Sequence, residues 1–499
     1  MSRLNRAIGL ILVAAGLALA GRASATTIHA TILHFSDAYD IDPAVGPGGW
    51  ARAATLIRAS RARQINTVVT YGGDLISPSF VSSLTQGSQM IALMNDIGVD
   101  YAAFGPHDFD FGPEVLARRV AESKFLWLAT NVRDLQGKPF AGVHPIAVRR
   151  IGPVTIGFFA LLTPDTAVES SPGPEVNFLP PRVAAAEAVS TFRAAGIDVV
   201  VALTHQPLEE DRKLIQAVPG IDLVLGGDDQ SAMTTQEDGV PILRSGKDAQ
   251  FLAVADLTVE KEGKSKAALS IDYRLLPTAD AKPNPGVAAK VAAYLEAYDR
   301  QLTEPLATLS SALDSREATV RSGESSMGDL IADAMLSASG ANAAMINAGG
   351  IRGDRLYAAG SGLTRKDIRR ELPFDNRLVV VELSGAAILA ALENGVSEVA
   401  QQGGRFPQVA GLSFTFDPGK PVGKRISKVM IAGAPLDPKK EYKLAISDYM
   451  ADGGDGYGVL RGAKRLDLDG AGRPLTEIVA DYLKVRSEVA VSPGERIHR

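Results

Sequence analysis

The sequence predicts a protein of two α/β domains. Apolar runs of strand length alternate with segments of helical spacing through about Pro277, which indicates a layered α/β domain. Alanine, lysine and proline crowd residues 278–285, which is typical of a linker, and a new pattern of helices and strands begins near Ser310. With 499 residues, 46% of them apolar, the chain is long enough to form two separate cores.

Five strand candidates in the first half each end in an aspartate, a histidine or both. Open α/β sheets bind ligands at the carboxyl ends of their strands, so these polar side chains are candidates for one shared site. Acids and imidazoles in this number are typical of divalent-metal ligands, because such ions need several converging oxygens and nitrogens. The runs are residues 31–35 before SDAY, 67–71 before GGD, 99–104 before GPHDFDFG, 198–203 before THQ and 221–225 before GGDDQ.

His107 and Asp110 lie three residues apart in the segment GPHDFDFG. On a tight turn the Asp110 carboxylate can reach the imidazole, fix its tautomer and favour its charged form. The alternative is a polar loop whose histidine is already satisfied.

Helical spacing of apolar residues predicts the helices that separate these strands. One stripe is formed by Trp50, Ala53, Ala54 and Ile57, and another by Met90, Leu93, Met94 and Ile97, whose methionines we expect in the core rather than as ligands. The predicted helices are 50–63, 88–97, 181–195, a connecting helix from Val287 with Val291, Tyr294, Tyr298 and Leu302 on one face, and one that begins at Ser326; Ala343 to Ile346 is a predicted strand.

Residues 1–25 have the pattern of a secretory signal peptide. Arg3 and Arg6 precede an apolar run over 7–20, and small residues at 23–25 predict cleavage after Ala25, which places the mature protein in the periplasm or outside the cell. A membrane anchor is the alternative, but the run is short for a span. The absence of cysteine excludes disulfides and a lipoprotein anchor, and the net charge of −5 does not favour a nucleic-acid surface.

Taken in order, these blocks resemble the two-domain 5′-nucleotidase family, whose blocks read D-x-H, G-G-D, G-N-H-E-F-D, a strand ending in histidine, and G-H-x-H or G-H-x-Q. In the second half, residues 347–352 match the family's N-x-G-G-I-R block, and residues 372–376, 404–409 and 448–457 resemble its nucleoside-binding domain. The resemblance implies a four-layer α/β/β/α metallophosphoesterase domain at 26–282, a linker with a connecting helix at 283–309, and a smaller α/β 5′-nucleotidase C-terminal domain at 310–499.

The resemblance also implies two divalent metal ions. The first would be held by Asp37, Tyr39, Asp74 and Gln230, and the second by Asp74, His205, Asp228 and the residue at position 106.

Three ligand positions depart from the family pattern. Tyr39 and Asp228 replace histidines, and Pro106 replaces an asparagine and offers no side-chain donor unless Asp108 or a water substitutes for it. We therefore expect a weaker second site, and a preference for Mg²⁺, Mn²⁺ or Ca²⁺ over Zn²⁺ because the ligand set is rich in oxygen. The alternative is a site that has lost its activity.

By the same resemblance, a metal-activated water would attack the phosphorus, and His107, paired with Asp110, would hydrogen-bond the phosphoryl oxygens. Phe406 and Tyr449 would sandwich the base, Asp455 would bind the ribose hydroxyls, and Arg352 would bind phosphate or sugar. The alternative is that these residues have no binding role: the aromatic side chains would lie in a core, and the Gly-Gly-Asp-Gly segment would form a turn.

The predicted function is an exported, monomeric metal-dependent phosphoesterase that acts on nucleotides, as a 5′-nucleotidase or a nucleotide phosphodiesterase. One alternative is a periplasmic nucleotide- or nucleoside-binding protein without turnover. Another is a relative that hydrolyses a different ester, such as a thiosulfohydrolase.

Overall fold

Two six-stranded sheets form the centre of the N-terminal half. The computed structural model describes residues 26–42, 49–262, 267–299, 302–303, 305–374, 376–468, 470–494 and 496–499, so the predicted signal peptide lies outside the described residues. The strands of this half are β1 Thr26–Phe35, β2 Thr67–Tyr71, β3 Tyr101–Ala103, β4 Leu126–Leu128, β5 Val132–Arg133, β6 Ile146–Ile151, β7 Val154–Leu162, β8 Asn177–Phe178, β9 Val199–His205, β10 Leu223–Gly227, β11 Ala232–Glu237, β12 Val240–Ser245, β13 Phe251–Lys261 and β14 Ala268–Pro277. Its helices are α1 Trp50–Arg63, α2 Phe80–Thr85, α3 Ser88–Ile97, α4 Pro113–Glu122, α5 Thr166–Glu169, α6 Pro181–Ala194, α7 Leu208–Ala217 and α8 Pro285–Asp299.

The parallel strands at the middle of the two sheets bring distant segments to one edge. The strand orders are β14-β13-β1-β2-β3-β4 and β11-β12-β10-β9-β7-β6. Strands β1 to β4 run parallel to one another in the first sheet, and β7, β9, β10 and β12 do so in the second. The five predicted strands are β1, β2, β3, β9 and β10, and all of them belong to these parallel groups. Their carboxyl ends are therefore free to build a common site.

Helices cover the outer faces of both sheets, which confirms the expected four-layer α/β/β/α architecture. A core between the sheets is built from buried aliphatic and aromatic side chains of both, among them Ile32, Leu203 and Phe158. A second core lies between the first sheet and helices α1, α3 and α4, and a third between the second sheet and helices α6 and α7. Strands buried on both faces carry continuous apolar runs, which is why the sequence pattern identified them.

The predicted helices 50–63 and 88–97 are confirmed at both ends, and their apolar stripes are buried as expected. Helix α6 ends at Ala194, one residue before the predicted end. The connecting helix α8 ends at Asp299, so Leu302 follows the helix rather than lying on its face. Val287 and Val291 are buried in the core of the first sheet's helix layer, so α8 packs as part of the N-terminal domain. The proposed domain limits at 282 and 309 stay predictions.

The C-terminal half has one continuous hydrophobic core. It is organised around a five-stranded sheet of order β21-β17-β25-β20-β26 and a four-stranded sheet of order β24-β23-β22-β28. The strands are β15 Pro305–Leu309, β16 Leu313–Asp314, β17 Ala343–Asn347, β18 Leu356–Tyr357, β19 Gly362–Thr364, β20 Leu378–Ser384, β21 Pro407–Ala410, β22 Leu412–Phe416, β23 Ile426–Ile431, β24 Ala434–Pro435, β25 Glu441–Ser447, β26 Lys464–Leu466, β27 Glu488–Val489 and β28 Ile497–His498. The helices are α9 Glu317–Val320, α10 Ser326–Ser339, α11 Arg365–Glu371, α12 Gly385–Gly395, α13 Asp448–Ala451 and α14 Leu475–Arg486.

Parallel pairing of β17 with β25 aligns the ends of two predicted binding segments. Ala343 lies opposite Leu444, so Asn347 and Ser447 end their strands at the same edge. The segment with Arg352 follows the first strand, and the segment with Tyr449 follows the second. This edge faces the strand ends of the N-terminal domain across a cleft.

The packing between the two sheets yields a stability prediction. Phe158 is fully buried on β7, and its ring centroid lies 4.8 Å from that of Tyr101 on the other sheet. We expect Phe158→Ala to lower the free energy of unfolding by about 3–5 kcal/mol, because it leaves a cavity between the sheets. Val148→Ala on the neighbouring strand is the control, since Val148 is 49% exposed. Urea unfolding measures both, and equal effects would contradict the assignment of Phe158 to the inter-sheet core.

Candidate active site

Four side chains of the N-terminal domain meet where the parallel strands end. Asp37 follows β1, Asp74 follows β2, His205 ends β9 and Asp228 follows β10. The Nε2 atom of His205 lies 3.4 Å from Asp74 Oδ2, 3.8 Å from Asp228 Oδ1 and 3.9 Å from Asp37 Oδ1. Ligand atoms of Asp37, Asp74 and His205 all lie within 4.8 Å of one another. The structure thus brings together four of the six residues predicted as metal ligands.

The His205 ring is oriented as a metal ligand. Its Nδ1 atom lies 2.6 Å from the carbonyl oxygen of Gly72 and donates a hydrogen bond to it. The proton on Nδ1 leaves the Nε2 lone pair directed at the carboxylates. Both His205 Nε2 and Asp37 Oδ1 are buried and have no hydrogen-bond partner. Buried acceptors without donors are costly, so this donor set fits a divalent cation.

Burial and mutual repulsion set the protonation of this cluster. Burial raises the pKa of Asp37 to about 7 and that of Asp228 to about 6, although the nearby His205 lowers both. Burial lowers the pKa of His205, but the surrounding carboxylates outweigh it and raise that pKa well above its usual value. Without a metal ion, a proton on His205 offsets part of the negative charge of the carboxylates. A bound divalent cation would replace that proton.

The backbone at these positions is held in an unusual conformation. Asp37, Asp74, Asp228 and Gln230 all have positive φ angles, of 52°, 58°, 88° and 52°. Such left-handed conformations are uncommon for residues with a Cβ and are found at functional sites whose surroundings enforce them. The backbone of Gly105 also packs closely against Asp74. A Cβ at position 105 would lie 2.1 Å from Asp74 Oδ1, so a larger residue would displace this carboxylate.

Asp108 is a support for the site and not a substitute ligand. Its carboxylate is fully buried and accepts hydrogen bonds from the backbone N–H groups of Asp74, Leu75, Ile76 and Gly105. These bonds fasten the loop after β2 to the loop after β3. The suggestion that Asp108 replaces the missing donor at Pro106 is therefore wrong, because its oxygens already serve the backbone.

Arg244 supports the other half of the site. Its guanidinium, 2% exposed, pairs with Asp211 at 2.6 Å and with Asp229 at 2.6 Å. It also donates to the carbonyl oxygens of Gln206 and Gly227. One arginine therefore joins the loop after β9 to the loop that carries Asp228. No feature of the sequence pointed to this role.

The predicted pair of His107 and Asp110 forms in the structure. His107 Nδ1 lies 2.9 Å from Asp110 Oδ2, and Ser170 Oγ donates to Asp110 Oδ1 at 2.7 Å. The backbone N–H of His107 donates to Asp74 Oδ1 at 2.9 Å, which links the pair to the metal-ligand cluster. Burial lowers the pKa of His107, but the charges of Asp110 and Asp74 raise it by more. The pKa of His107 therefore lies above its ordinary value. The ring lines the cleft between the domains.

Tyr39 and Gln230, which were predicted as ligands of the first ion, are hydrogen-bonded to each other. Gln230 Nε2 donates to Tyr39 Oη at 3.1 Å, and Arg352 Nη2 of the C-terminal domain approaches the same oxygen at 3.4 Å. Burial raises the pKa of Tyr39, while the charge of Arg352 lowers it; the balance is a raised pKa. The phenol is therefore a neutral acceptor that joins the two domains.

Both domains line a cleft of about 830 Å³ above the cluster. From the C-terminal domain, its walls contain Arg321, Arg352, Phe374, Tyr449 and Asp455. The Phe374 ring is stacked with that of His107, with centroids 6.0 Å apart and planes at 28°. The wall from the C-terminal domain thus carries aromatic rings, arginines and aspartates, and it faces a floor that includes Asp74 and Asp228.

Phe406 does not lie in this cleft. Its side chain is fully buried in the core of the C-terminal domain, with its ring centroid 5.7 Å from that of Phe416. The assignment of Phe406 to a base-binding pair is therefore wrong. Pro407 begins β21, which pairs with β17 and directs Phe406 inward. Phe374 is the aromatic side chain that shares the cleft wall with Tyr449, and it lies in the segment 372–376 already noted in the sequence.

Tyr449 and Asp455 are in the cleft as predicted, and they contact each other. The Tyr449 hydroxyl lies 3.0 Å from Asp455 Oδ1, and Asn347 Nδ2 donates to Asp455 Oδ2 at 2.7 Å. The Tyr449 hydroxyl also lies 3.1 Å from the carbonyl oxygen of Val168 in the N-terminal domain. These contacts fix the ring of Tyr449 at the domain boundary.

Arg321 lines the cleft, although no pattern in the sequence singled it out. It pairs with Glu317 at 3.1 Å, while its Nε atom is buried without a partner. Burial and the neighbouring charge of Arg352 lower its pKa. Two arginines close together on one wall indicate a site for an anion.

Comparisons with known proteins follow the two halves of the chain. A calcineurin-like phosphoesterase model matches residues 30–231, and a 5′-nucleotidase C-terminal domain model matches residues 305–462. A trifunctional nucleotide phosphoesterase protein of Bacillus subtilis is 28% identical over 86% of this chain, which spans only 32% of that longer protein.

Solved structures share the fold over both halves. A 5′-nucleotidase precursor from Thermus thermophilus has 29% identity and a TM-score of 0.82, covering 94% of this chain and 99% of its own. A sulfate thiohydrolase from the same organism has 24% identity and a TM-score of 0.75, covering 94% and 96%, and this likeness concerns the fold alone. Within the described residues, no helix has the length and apolar character needed to cross a membrane. With both domain models matched in order, the chain belongs to the family that joins a calcineurin-like phosphoesterase domain to a 5′-nucleotidase C-terminal domain, which confirms the resemblance seen in its motifs.

Proposed function

We propose that this protein is a divalent-metal-dependent phosphoesterase that hydrolyses nucleotides to release phosphate. The observation that carries the proposal is the buried cluster of Asp37, Asp74 and His205, of which Asp74 reaches the floor of a cleft whose opposite wall carries aromatic rings and arginines. The floor has the chemistry for a phosphoryl group with a metal, and the wall has the chemistry for a base and its phosphate.

Asp37, Asp74 and His205 would hold a divalent metal ion, and the Asp228 carboxylate lies 3.8 Å from His205 Nε2. Such a set favours Mg²⁺, Mn²⁺ or Ca²⁺ over Zn²⁺, because carboxylate oxygens suit hard ions. When bound, the cation would polarise a phosphoryl oxygen and lower the pKa of a coordinated water. The Nδ1 hydrogen bond to Gly72 keeps His205 Nε2 available as a ligand throughout.

His107 would stabilise the charge that develops on the phosphoryl oxygens. Its pairing with Asp110 favours the protonated ring, which can donate a hydrogen bond from the side away from Asp110. Asp110 is itself oriented by Ser170. Because the His107 backbone is bonded to Asp74, the donor and the metal-ligand cluster keep a fixed relation.

Substrate binding would be divided between two kinds of side chain. Arg352 and Arg321 would neutralise phosphate, since guanidinium groups stay charged and match phosphate geometry. Phe374 and Tyr449 would bind the base by stacking, which tolerates both purines and pyrimidines. Asp455, held by Asn347 and Tyr449, would accept hydrogen bonds from the ribose hydroxyls.

Export after cleavage at Ala25 and a monomeric state belong to the same proposal, on the sequence pattern alone.

Phosphate release from a substrate panel tests the function directly. We expect nucleoside monophosphates to release phosphate in the presence of Mn²⁺ or Mg²⁺, and a chelator to abolish release until metal is returned. Bis(p-nitrophenyl) phosphate tests for diesterase activity, and a thiosulfate ester tests the sulfur alternative. Nucleotide binding without any phosphate release would support the binding-protein alternative and overturn the proposal.

Substitution of His107 separates catalysis from binding. We expect His107→Ala to lower kcat by roughly 10²- to 10⁴-fold with little change in KM, because its hydrogen bond strengthens as charge develops. His29→Ala is the matched control, since His29 lies exposed on β1. Steady-state kinetics of both variants give the comparison. A variant with unchanged kcat and a raised KM would mean that His107 only binds substrate.

Substitution of Phe374 tests the aromatic wall. We expect Phe374→Ala to raise KM for nucleotides by roughly 5- to 150-fold, since stacking on one base is worth about 1–3 kcal/mol. Hydrolysis of p-nitrophenyl phosphate, which offers no base, should change little. Phe406→Leu is the control for a buried phenylalanine and should leave both KM values unchanged. Equal losses for nucleotide and aryl phosphate would show that Phe374 acts on the chemistry and not on the base.

A further inference from the structure

A second cavity, of about 680 Å³, lies between the two domains and is separate from the cleft above the metal-ligand cluster. Arg352 lines both spaces, whereas Tyr39 lines only the second one. Among the described residues that border this second cavity, Asp37, Asp74 and His205 do not occur. The proposed hydrolysis of nucleotides therefore gives this space no role.

The wall that the C-terminal domain contributes to this cavity is rich in arginine. Arg352, Arg355 and Arg370 all line it, and Lys247 joins them from the N-terminal domain. Guanidinium groups remain protonated at all accessible pH values and match the geometry of phosphate and carboxylate groups. Cations from both domains thus border one space that is large enough for a small molecule.

Arg355 is a cation that the described part of the chain leaves without an anionic partner. Its guanidinium forms no hydrogen bond or ion pair there, and its central carbon lies 5.8 Å from the centroid of the Tyr357 ring. The buried carboxylate of Glu371 attracts Arg355 but accepts its hydrogen bonds from Ser315 and Tyr357. A half-buried charge without a hydrogen-bonded partner is costly, and a bound anion would remove that cost.

The acidic residues of the cavity do not cancel this positive charge. Asp354 accepts the backbone N–H of Glu317 at 3.0 Å and pairs with Lys247 at 3.5 Å, and Glu317 pairs with an arginine of the other cleft at 3.1 Å. Asp40 and Asp248 belong to the wall from the N-terminal domain, and Asp248 is buried. On the wall from the C-terminal domain, arginines therefore outnumber acids.

We propose that this cavity is a second binding site, for a small molecule that carries a phosphate or carboxylate group, and that Arg355 binds the anionic group. The site goes beyond the proposed function, because neither the metal-ligand cluster nor the hydrolysis of a nucleotide is part of it.

The remaining lining residues suit the uncharged part of such a molecule. Phe80, Leu356 and Tyr357 offer apolar surface, and Ser361 offers a hydroxyl group. Small-molecule sites commonly combine an apolar lining with a few polar groups that fix the orientation of the ligand. Because the walls come from both domains, a bound molecule would join the domains and stabilise the folded chain.

Binding to the metal-free protein tests the site without turnover. The full chain, stripped of metal, is titrated by calorimetry with inorganic phosphate and, in a separate arm, with succinate; the tighter of the two identifies the anionic group. We expect Arg355→Met to weaken this binding by roughly 10- to 100-fold, because it removes charge-assisted hydrogen bonds. Arg461→Met is the matched control and should keep the wild-type affinity, since Arg461 is an exposed arginine that lines only the other cleft.

Wild-type affinity in Arg355→Met, equal losses in both variants, or no binding of either anion to the wild-type protein would overturn the proposal. Circular dichroism verifies the folding of both variants.

Chemical modification locates the anion in the wild-type protein and needs no variant. Phenylglyoxal labels accessible arginines, and peptide mass spectrometry reports the labelling of each one. We expect the anion to protect Arg355 and to leave the labelling of Arg461 unchanged. Protection of Arg461 without protection of Arg355 would place the anion in the other cleft and contradict the proposal. Both measurements are independent of phosphate release, so the second site and the proposed function stand or fail separately.

Discussion

The structure of the N-terminal domain depends on holding two buried carboxylates and a third, partly exposed one close together. Burying charged groups costs several kcal/mol each, and like charges add repulsion to this cost. Asp37, Asp74 and Asp228 meet around one imidazole, each from a backbone with positive φ. Such an arrangement is strained without a cation, so the surrounding protein must enforce it.

Two buried side chains provide that enforcement, one for each sheet. Asp108 gathers four backbone N–H groups from the loops after β2 and β3, and Arg244 gathers carboxylates and carbonyls from the loops after β9 and β10. The two supports are opposite in charge, because one must satisfy donors and the other must satisfy acceptors. Asp108 fixes its loops by bonds to their backbone, and Arg244 does so by bonds to carbonyl oxygens and to the carboxylates of Asp211 and Asp229. The cluster therefore owes its geometry to residues outside it.

The sequence predicted the elements well because their patterns are local. Helices α1 and α3 match their predicted limits, since an apolar stripe at helical spacing is visible within a dozen residues. The strand-end acids were also visible locally, and they converge because the strands are parallel neighbours. The sequence did not predict correctly which aromatic side chains point into the cleft and which into the core. Phe374 and Phe406 are both phenylalanines beside a proline, yet only tertiary pairing of β17 with β21 decides which one points into the core.

The support residues escaped prediction for the same physical reason. Asp108 lies between two site residues, so its sequence position suggested a ligand, whereas three of its four backbone partners lie 32 to 34 residues away in the chain. Arg244 sits in an apolar strand and has partners at Asp211 and Gln206, which the sequence does not connect to it. Tyr39 was predicted as a ligand from its place in a motif, and the sequence does not reveal that Gln230 and Arg352 donate hydrogen bonds to its oxygen. The periodicity of a short segment does not reveal which distant residues will form hydrogen bonds with its polar groups.

The cleft joins two surfaces that neither domain could provide alone. The N-terminal domain offers the metal-ligand cluster and His107, while the C-terminal domain offers Phe374, Arg321 and Arg352. Direct contacts set the separation of the two surfaces: Tyr449 to Val168, Arg370 to Asp42 at 2.6 Å, and Arg352 to Tyr39.

Stacking of Phe374 with His107 places an aromatic wall residue directly beside the predicted phosphate-binding donor. Under the proposed function, a base stacked on Phe374 and a phosphate near His107 would lie a short distance apart, as they do in a mononucleotide. The spacing of the two domains, and not either domain's own pocket, would then select the length of the substrate.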